Sequence, residues 1–299
     1  MGKYKGILFM LAAAGCFSLM AAFAKTLRTS FTAGQLVFYR NSIGLLFLSF
    51  SLLKNKPHQR GGQFLWLAFR GIMGTIAVYA LLFSIVHMPL GTAMAYNLTS
   101  AIFISFFGHM FFKEYHGWPV IAGLIIGFLG MILVYKPQMN IAWYYHVAGL
   151  ISGMASASAY ITIGRLTTYY DSRIVVLSFL TTGILLPLFS MFVHAISGWR
   201  ADELFILDWK LPTSSEWIWV ILFGFFALLG QYFVTRSYGS DKAGIVSVIA
   251  YANIPFSLFL GVFLGDALPS IITTLGIILI IISGIIIAFY KQSNAVSEN

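Results

Sequence analysis

Ten long apolar runs, separated by short charged or turn-rich breaks, limit what this chain can fold into. They lie at about residues 6–25, 33–53, 64–86, 89–112, 117–135, 146–165, 174–197, 217–238, 243–264 and 269–290. A helix needs about 20 mainly apolar residues to cross a bilayer core, and each run supplies that length. In lipid every backbone N–H and C=O must find its partner within the protein, so only helices and closed barrels span. Barrel strands read as weak segments of about ten alternating residues. These runs are continuously apolar and far longer, so they are helices. Composition agrees, with 59% hydrophobic and 9% charged residues, against about 25% charged in a soluble domain. The longest connection, SGWRADELFILDWKLPTSSE from Ser197 to Glu216, is too short for a separate domain. The fold class is all-α integral membrane, with ten transmembrane helices in one unit.

The net charge of +9 reads as topology. With a cytoplasmic N-terminus, the inner segments hold Lys3, Lys5, Lys54, Lys56, Arg60, Lys113, Arg165, Arg173, Arg236, Lys242 and Lys291. The outer ones hold only Lys25, Arg28, Lys136, Arg200 and Lys210. That excess predicts both termini inside and loop 197–216 outside. No basic cluster exceeds three residues, so nucleic acid is not an expected partner. The lone Cys16 excludes an internal disulfide and leaves the redox compartment unread.

The start, MGKYKGILFMLAAAGCFSLMAAFAK, also has the basic end, apolar core and small residues of a signal peptide, and AAGC is faintly like a lipoprotein site. It lacks the leucine three residues before Cys16, and kept as a helix it splits the spans evenly, so we read it as the first span. MGKYKG has no Ser or Thr at position 6, so myristoylation is not supported.

The chain repeats. LGTAMAYNLTSAIFISFFGHMFFKE, Leu90 to Glu114, and AGIVSVIAYANIPFSLFLGVFLGD, Ala243 to Asp266, both open on small residues, pass a Tyr and an Asn near mid-span and end on an acid. Each precedes a glycine-bearing run that ends in tyrosine, at Tyr135 and Tyr290. Five spans per copy is an odd number, so the second copy enters the membrane from the opposite side. Such inverted repeats are built into many secondary transporters, with the substrate site near the midplane at the repeat interface. We expect one five-helix repeat over 1–137, an inverted one over 146–290, and a cytoplasmic tail over 291–299.

With FYRNSIGLL in the second span, AFRGIMGTIAVYALLFSIVHMPLGTAMAY from the third into the fourth, and the FFKE and LGD endings, the sequence resembles the EamA-domain transporters of the drug/metabolite transporter superfamily over nearly its whole length. The resemblance implies ten helices in two inverted halves, with the first, third, fourth, sixth, eighth and ninth lining a central cavity. Such proteins commonly place a proline shortly ahead of a terminal glutamate in the fourth and ninth helices; here Ala101 takes the first proline's place, while Pro255 is kept and Asp266 ends the ninth.

Arg40 and Arg70 are the only charges within the spans. An arginine at a helix centre costs about 2.5–3.5 kcal/mol on insertion scales, which marks it as a functional candidate. Arg40 lies about seven residues inside the outer end of its helix, roughly 10 Å at 1.5 Å per residue, and Arg70 similarly far from the inner face. The spacing suggests gates at opposite mouths; the competing readings are snorkelling to the interface and, for Arg70, a topology signal. No carboxylate lies within the spans, so the partners of both are carbonyls, hydroxyls, water, or a substrate carboxylate or phosphate that arginine holds bidentately.

Uncharged polar residues collect near mid-span at Tyr79, Tyr96, Asn97, Ser156, Tyr160, Gln231, Tyr232, Tyr251 and Asn253, and are the remaining substrate-binding candidates. Aromatic walls with a few amides and hydroxyls suit a flat or cationic organic solute; the competing reading is interhelical hydrogen bonding. Gly71, Gly74, Gly123, Gly127, Gly130, Gly153 and Gly276 are expected to let helices approach closely, GLIIG matching the GxxxG pattern. Trp66, Trp118, Trp143, Trp217 and Trp219 fall at span ends, as interfacial anchors do. The sequon at Asn97 is mid-span and discounted.

Only His109 and His194 offer a membrane proton relay, and both lie near span ends, so a facilitator or exchanger is expected rather than a strict proton symporter. An intramembrane enzyme would need a nucleophile with its base, or clustered metal ligands, and no such constellation is present; no cofactor or metal is expected. A channel would lack saturable exchange. The aromatic cavity and Arg40 favour a zwitterionic or aromatic metabolite, moved by alternating access. Some members of the family it resembles that carry an arginine in helix two take up S-adenosylmethionine, which the resemblance makes the candidate substrate, with an amino acid or metabolite exporter as the alternative. The expected partners are a small-molecule substrate and the lipid bilayer of a bacterial inner membrane, and the sequence is compatible with a monomer.

Overall fold

A computed structural model describes residues 4–27, 29–57, 60–87, 90–112, 117–135, 142–197, 210–263 and 268–297. Its helices are α1 (Lys5–Leu27), α2 (Ala33–Lys54), α3 (Phe64–His87), α4 (Leu90–Leu98), α5 (Ser100–Phe112), α6 (Trp118–Tyr135), α7 (Trp143–Ile161), α8 (Ile163–Tyr169), α9 (Ser172–Ser197), α10 (Glu216–Tyr238), α11 (Ala243–Ile249), α12 (Asn253–Phe263) and α13 (Ile271–Ser297), with a 3₁₀ turn at Ala250–Ala252. Eight helical stretches among the described residues are long and apolar enough to cross a membrane. The α4/α5 pair and α13 complete the ten spans. Glu114 and Asp266, which end the repeated stretches, lie outside the described residues, as do 198–209 of the long connection.

The packing follows a two-copy plan. α1 packs most extensively on α10, and α7, the first helix of the second half, on α3. α1 also rests on α12 as α7 rests on α5, and α2 meets α10 as α9 meets α3. α6 and α13, the last helices of the two halves, pair with each other. Exchanging the halves therefore maps each major contact onto another, and five spans per half make the exchange an inversion.

The glycines explain the close pairs. A Cβ on Gly130 would lie 2.6 Å from the Gly276 carbonyl oxygen, and one on Gly276 equally close to that of Gly130, so the α6 and α13 backbones touch. Ser283 Oγ donates to the Gly123 carbonyl at 2.7 Å in the same seam. Gly153 faces Thr99, where α4 gives way to α5, and its Cβ would come within 2.7 Å of the Tyr96 carbonyl oxygen.

Helix ends are tied across the bundle. Thr32 caps α2 in a reciprocal box with Gln35. The connection from α2 to α3 turns on Gly61 and Gly62, with φ of 73° and 87°, values that suit glycine. There the Arg60 amide donates to the Tyr169 carbonyl at 2.8 Å. Arg173 pairs with Asp171 at 3.0 Å and donates to the Ser51 and Asn55 carbonyls at the end of α2. Ser237 Oγ donates to the Gly6 carbonyl. These contacts gather the ends of α1, α2, α8, α9 and α10 on one face. On the other, Tyr39 Oη and Lys210 Nζ reach the Lys210 and Ser30 carbonyls respectively.

Candidate functional site

The helices enclose a cavity of about 100 Å³. Its walls come from α1 (Met10, Phe17), α3 (Val78, Leu81), α4 (Met94, Asn97), α7 (Ser156, Tyr160), α10 (Gln231, Tyr238) and the α11–α12 span (Ser247, Asn253), while α2 contributes Arg40. Ligand-holding pockets usually measure about 300–1,000 Å³, so a metabolite enters only if the bundle opens. The larger hollows lie on the outer surface, one of about 530 Å³ between α5 and α6 with exposed Phe106 and His109, one of about 820 Å³ beside Trp66, Phe111 and Arg165.

Arg40 reaches this cavity as a buried cation, 3% exposed. Its Nε and Nη1 have no hydrogen-bond partner, and its Cζ lies 5.2 Å from the centre of the Phe179 ring. Arg70 is 1% exposed. Its Nη2 donates to Gln231 Oε1 at 3.2 Å, its Nε has no partner, and its Cζ lies 5.3 Å from Phe179 and 5.7 Å from Tyr160. The spacing along the chain suggests opposite mouths for these two arginines. Instead both converge on one ring, because α2 and α3 each meet α9 and an arginine side chain is long enough to close the gap. Among the described residues neither forms an ion pair.

Six of the sequence candidates line the cavity: Arg40, Asn97, Ser156, Tyr160, Gln231 and Asn253. Asn97 Nδ2 donates to Ser152 and Ser156 Oγ at 2.7 and 3.1 Å. Asn253 Nδ2 donates to the Ala14 carbonyl at 3.1 Å. Tyr160 stacks on Tyr238 with centroids 5.3 Å apart. The amides thus bind the neighbouring helix as well as facing the cavity.

Four candidates stand elsewhere. Tyr79 is buried in the apolar cluster that includes Val37, Leu82 and Phe223. Tyr96 packs over Gly149 and bonds His146 Nδ1 at 2.8 Å. Tyr232 lies against Phe233 with centroids 5.8 Å apart. Tyr251 is fully buried against Gly127. The sequence reading missed Met10, Phe17, Met20, Met94, Tyr238 and Ser247 in the walls; the methionines carry no polar signal that would separate them from lipid-facing residues.

Comparison with known proteins bears on what such a cavity serves. Residues 4–136 match the model of the EamA-like transporter family. An uncharacterized transporter of Helicobacter pylori strain J99 is 32% identical over 289 residues, 95% of this chain and 94% of its own. The pseudopaline exporter of Pseudomonas aeruginosa is 28% identical over 290 residues, 96% and 97% of the two chains. The riboflavin transporter of Vibrio cholerae is 22% identical over 298 residues, 96% and 93% of the two. A crystal structure 17% identical in sequence superposes with a TM-score of 0.75 over 97% of this chain and 99% of its own, and so shares the fold.

Proposed function

Since the chain belongs to the EamA-like transporter family, we propose that it is a facilitator or exchanger that moves a small carboxylate-bearing metabolite across a bacterial inner membrane by alternating access. Its repeats would be residues 1–137 and 146–290, followed by a tail over 291–299, with both termini cytoplasmic. The observation that carries the substrate reading is Arg40, a buried guanidinium on the cavity wall with two unpartnered nitrogens. A buried charge is costly unless paired and hydrogen-bonded, and a substrate carboxylate would supply both the charge and two parallel bonds. Arg70, behind the wall, donates to Gln231 on it, and the narrow cavity fits a state that must open to load.

S-adenosylmethionine would lay its adenine on Phe17 or Tyr160 and its carboxylate on Arg40, but its sulfonium would meet no carboxylate among the described residues. An amino acid or metabolite exporter is the second reading, favoured by the exporter among the relatives. The test is counterflow into proteoliposomes with labelled S-adenosylmethionine and a panel of amino acids and organic acids, wild type beside Arg40→Ala. Saturable exchange of one solute should appear in the wild type and fall about 10- to 100-fold in the variant, as expected for losing a charge-assisted bond. Equal exchange in a folded variant would remove Arg40 from the site.

A further inference from the structure

We infer that the site takes a small organic dianion, with two carboxylates or one phosphate ester held by Arg40 and Arg70 together. This rests on the cavity's being the transport site and narrows its substrate class. Arginine stays protonated in proteins, so two fixed positive charges stand within 5.3 Å of one ring centre, both almost wholly buried. No carboxylate among the described residues answers either. The Phe179 ring, which both cations approach, and the Tyr160 ring beside Arg70 offer cation–π attraction, which eases a buried cation without neutralising it.

A single carboxylate would leave one positive charge uncompensated in a low-dielectric pocket, and a zwitterion would restore the second. A dianion cancels both, and its extra oxygens meet the two forks. The local chemistry permits the exchange. Arg70's bond in this state is to a neutral amide oxygen, Gln231 Oε1, and Gln231 itself lines the cavity. A substrate oxygen that takes the amide's place trades a neutral acceptor for a charged one. Arg40's free Nε and Nη1 need displace nothing.

The experiment is thermal melting of the detergent-solubilised full chain with succinate, with glycerol phosphate, and with the matched succinamate and glycerol. At least one dianion should raise the melting temperature at about a tenfold lower concentration than its counterpart, since ligand bound only to the folded state stabilises it by mass action. Succinate and glycerol phosphate separate the dicarboxylate from the phosphate source. Arg70→Gln should abolish that preference and leave the residual effect of one cation; Arg70→Lys, which keeps the charge without the fork, should retain part of it. Equal shifts by dianion and counterpart, no shift by either dianion, or a preference undiminished in a folded Arg70→Gln would each overturn the inference. Counterflow separates the two readings: saturable exchange without dianion preference leaves transport standing, whereas dianion binding without exchange of any solute removes transport and keeps the site.

Discussion

At the scale of single residues, what holds a buried guanidinium in place is the space left for it. Gly74 lies one turn beyond Arg70, and a Cβ there would collide with Arg70 Nη1 and come within 2.8 Å of Phe179 Cδ2. Gly74→Ala should push the guanidinium off Phe179 and Gln231, lowering exchange about tenfold if one charge-assisted bond is lost, at a stability cost of about 1–3 kcal/mol for overpacking. Counterflow rates beside melting temperatures check this, and unaltered exchange would mean that Arg70 relocates without consequence. In the sequence Gly74 reads only as a packing glycine. Arg40 and Arg70 were legible because charges are so rare within these spans. The tyrosines were not, because position along a span fixes depth but leaves rotation about the helix axis open. Tyr79, Tyr96, Tyr232 and Tyr251 all stand near mid-span and lie off the cavity wall, while Tyr160 faces it.

Among the elements, the two most similar spans are also the two broken near mid-span. α4 yields to α5 at Thr99, and α11 yields to α12 through a 3₁₀ turn ending at Ala252. Beside each break an asparagine ties the span to the long helix next to it, Asn97 to α7 and Asn253 to α1. Asn97→Ala removes two such bonds, and at about 0.6 kcal/mol each should cost on the order of 1 kcal/mol, read as a lower melting temperature. A variant as stable as the wild type would show that the break holds without its tie. Hydropathy made the ten spans legible to within a few residues at most ends, since apolar length is what the bilayer demands. The breaks were not legible, because the first copy has no proline and its local sequence, LTSAIF, stays apolar enough to read as continuous helix. Close packing was legible at Gly130. Gly130→Ala should drive Cβ into the Gly276 carbonyl and cost about 1–3 kcal/mol, whereas Gly15→Ala, with nothing within 4 Å, should be neutral or gain up to about 1 kcal/mol of helix preference. Melting of the two variants side by side decides whether α6 and α13 meet this closely.

For the molecule as a whole, charge and connectivity agree. Among the described residues, the face that joins α1, α2, α8, α9 and α10 carries Arg60, Arg165, Arg173, Arg236 and Lys242, and the opposite face carries Lys210; Arg28, Lys136 and Arg200, which the sequence reading also puts on the opposite side, lie outside the described residues. On the basic face Asp171 is held below its usual pKa: partial burial raises it, but hydrogen bonds from Arg173 and that residue's charge outweigh the burial. Its folded pKa is therefore lower than its unfolded one, so the lock contributes fully above the unfolded value near 3.8 and is lost as pH falls through the folded value. Asp171→Asn should lower stability at neutral pH by less than about 1 kcal/mol, as partly exposed pairs do, and flatten the loss expected of the wild type below about pH 4; an unchanged acid limb would assign that loss to other groups. The inversion of the two halves is tested by the connections that follow the second helix of each. Lys56 lies in the first such connection and Lys210 in the second, so inverted copies must place them on opposite sides of the membrane, and the proposed orientation, with the excess of positive charge inside, puts Lys56 in the cytoplasm. In a Cys16→Ser background, Lys56→Cys should react with a membrane-impermeant maleimide only in inside-out vesicles, and Lys210→Cys only in intact cells. Reaction of both from one side would mean copies that run parallel, and then an even number of spans in each half, against the five that the helices of each half supply.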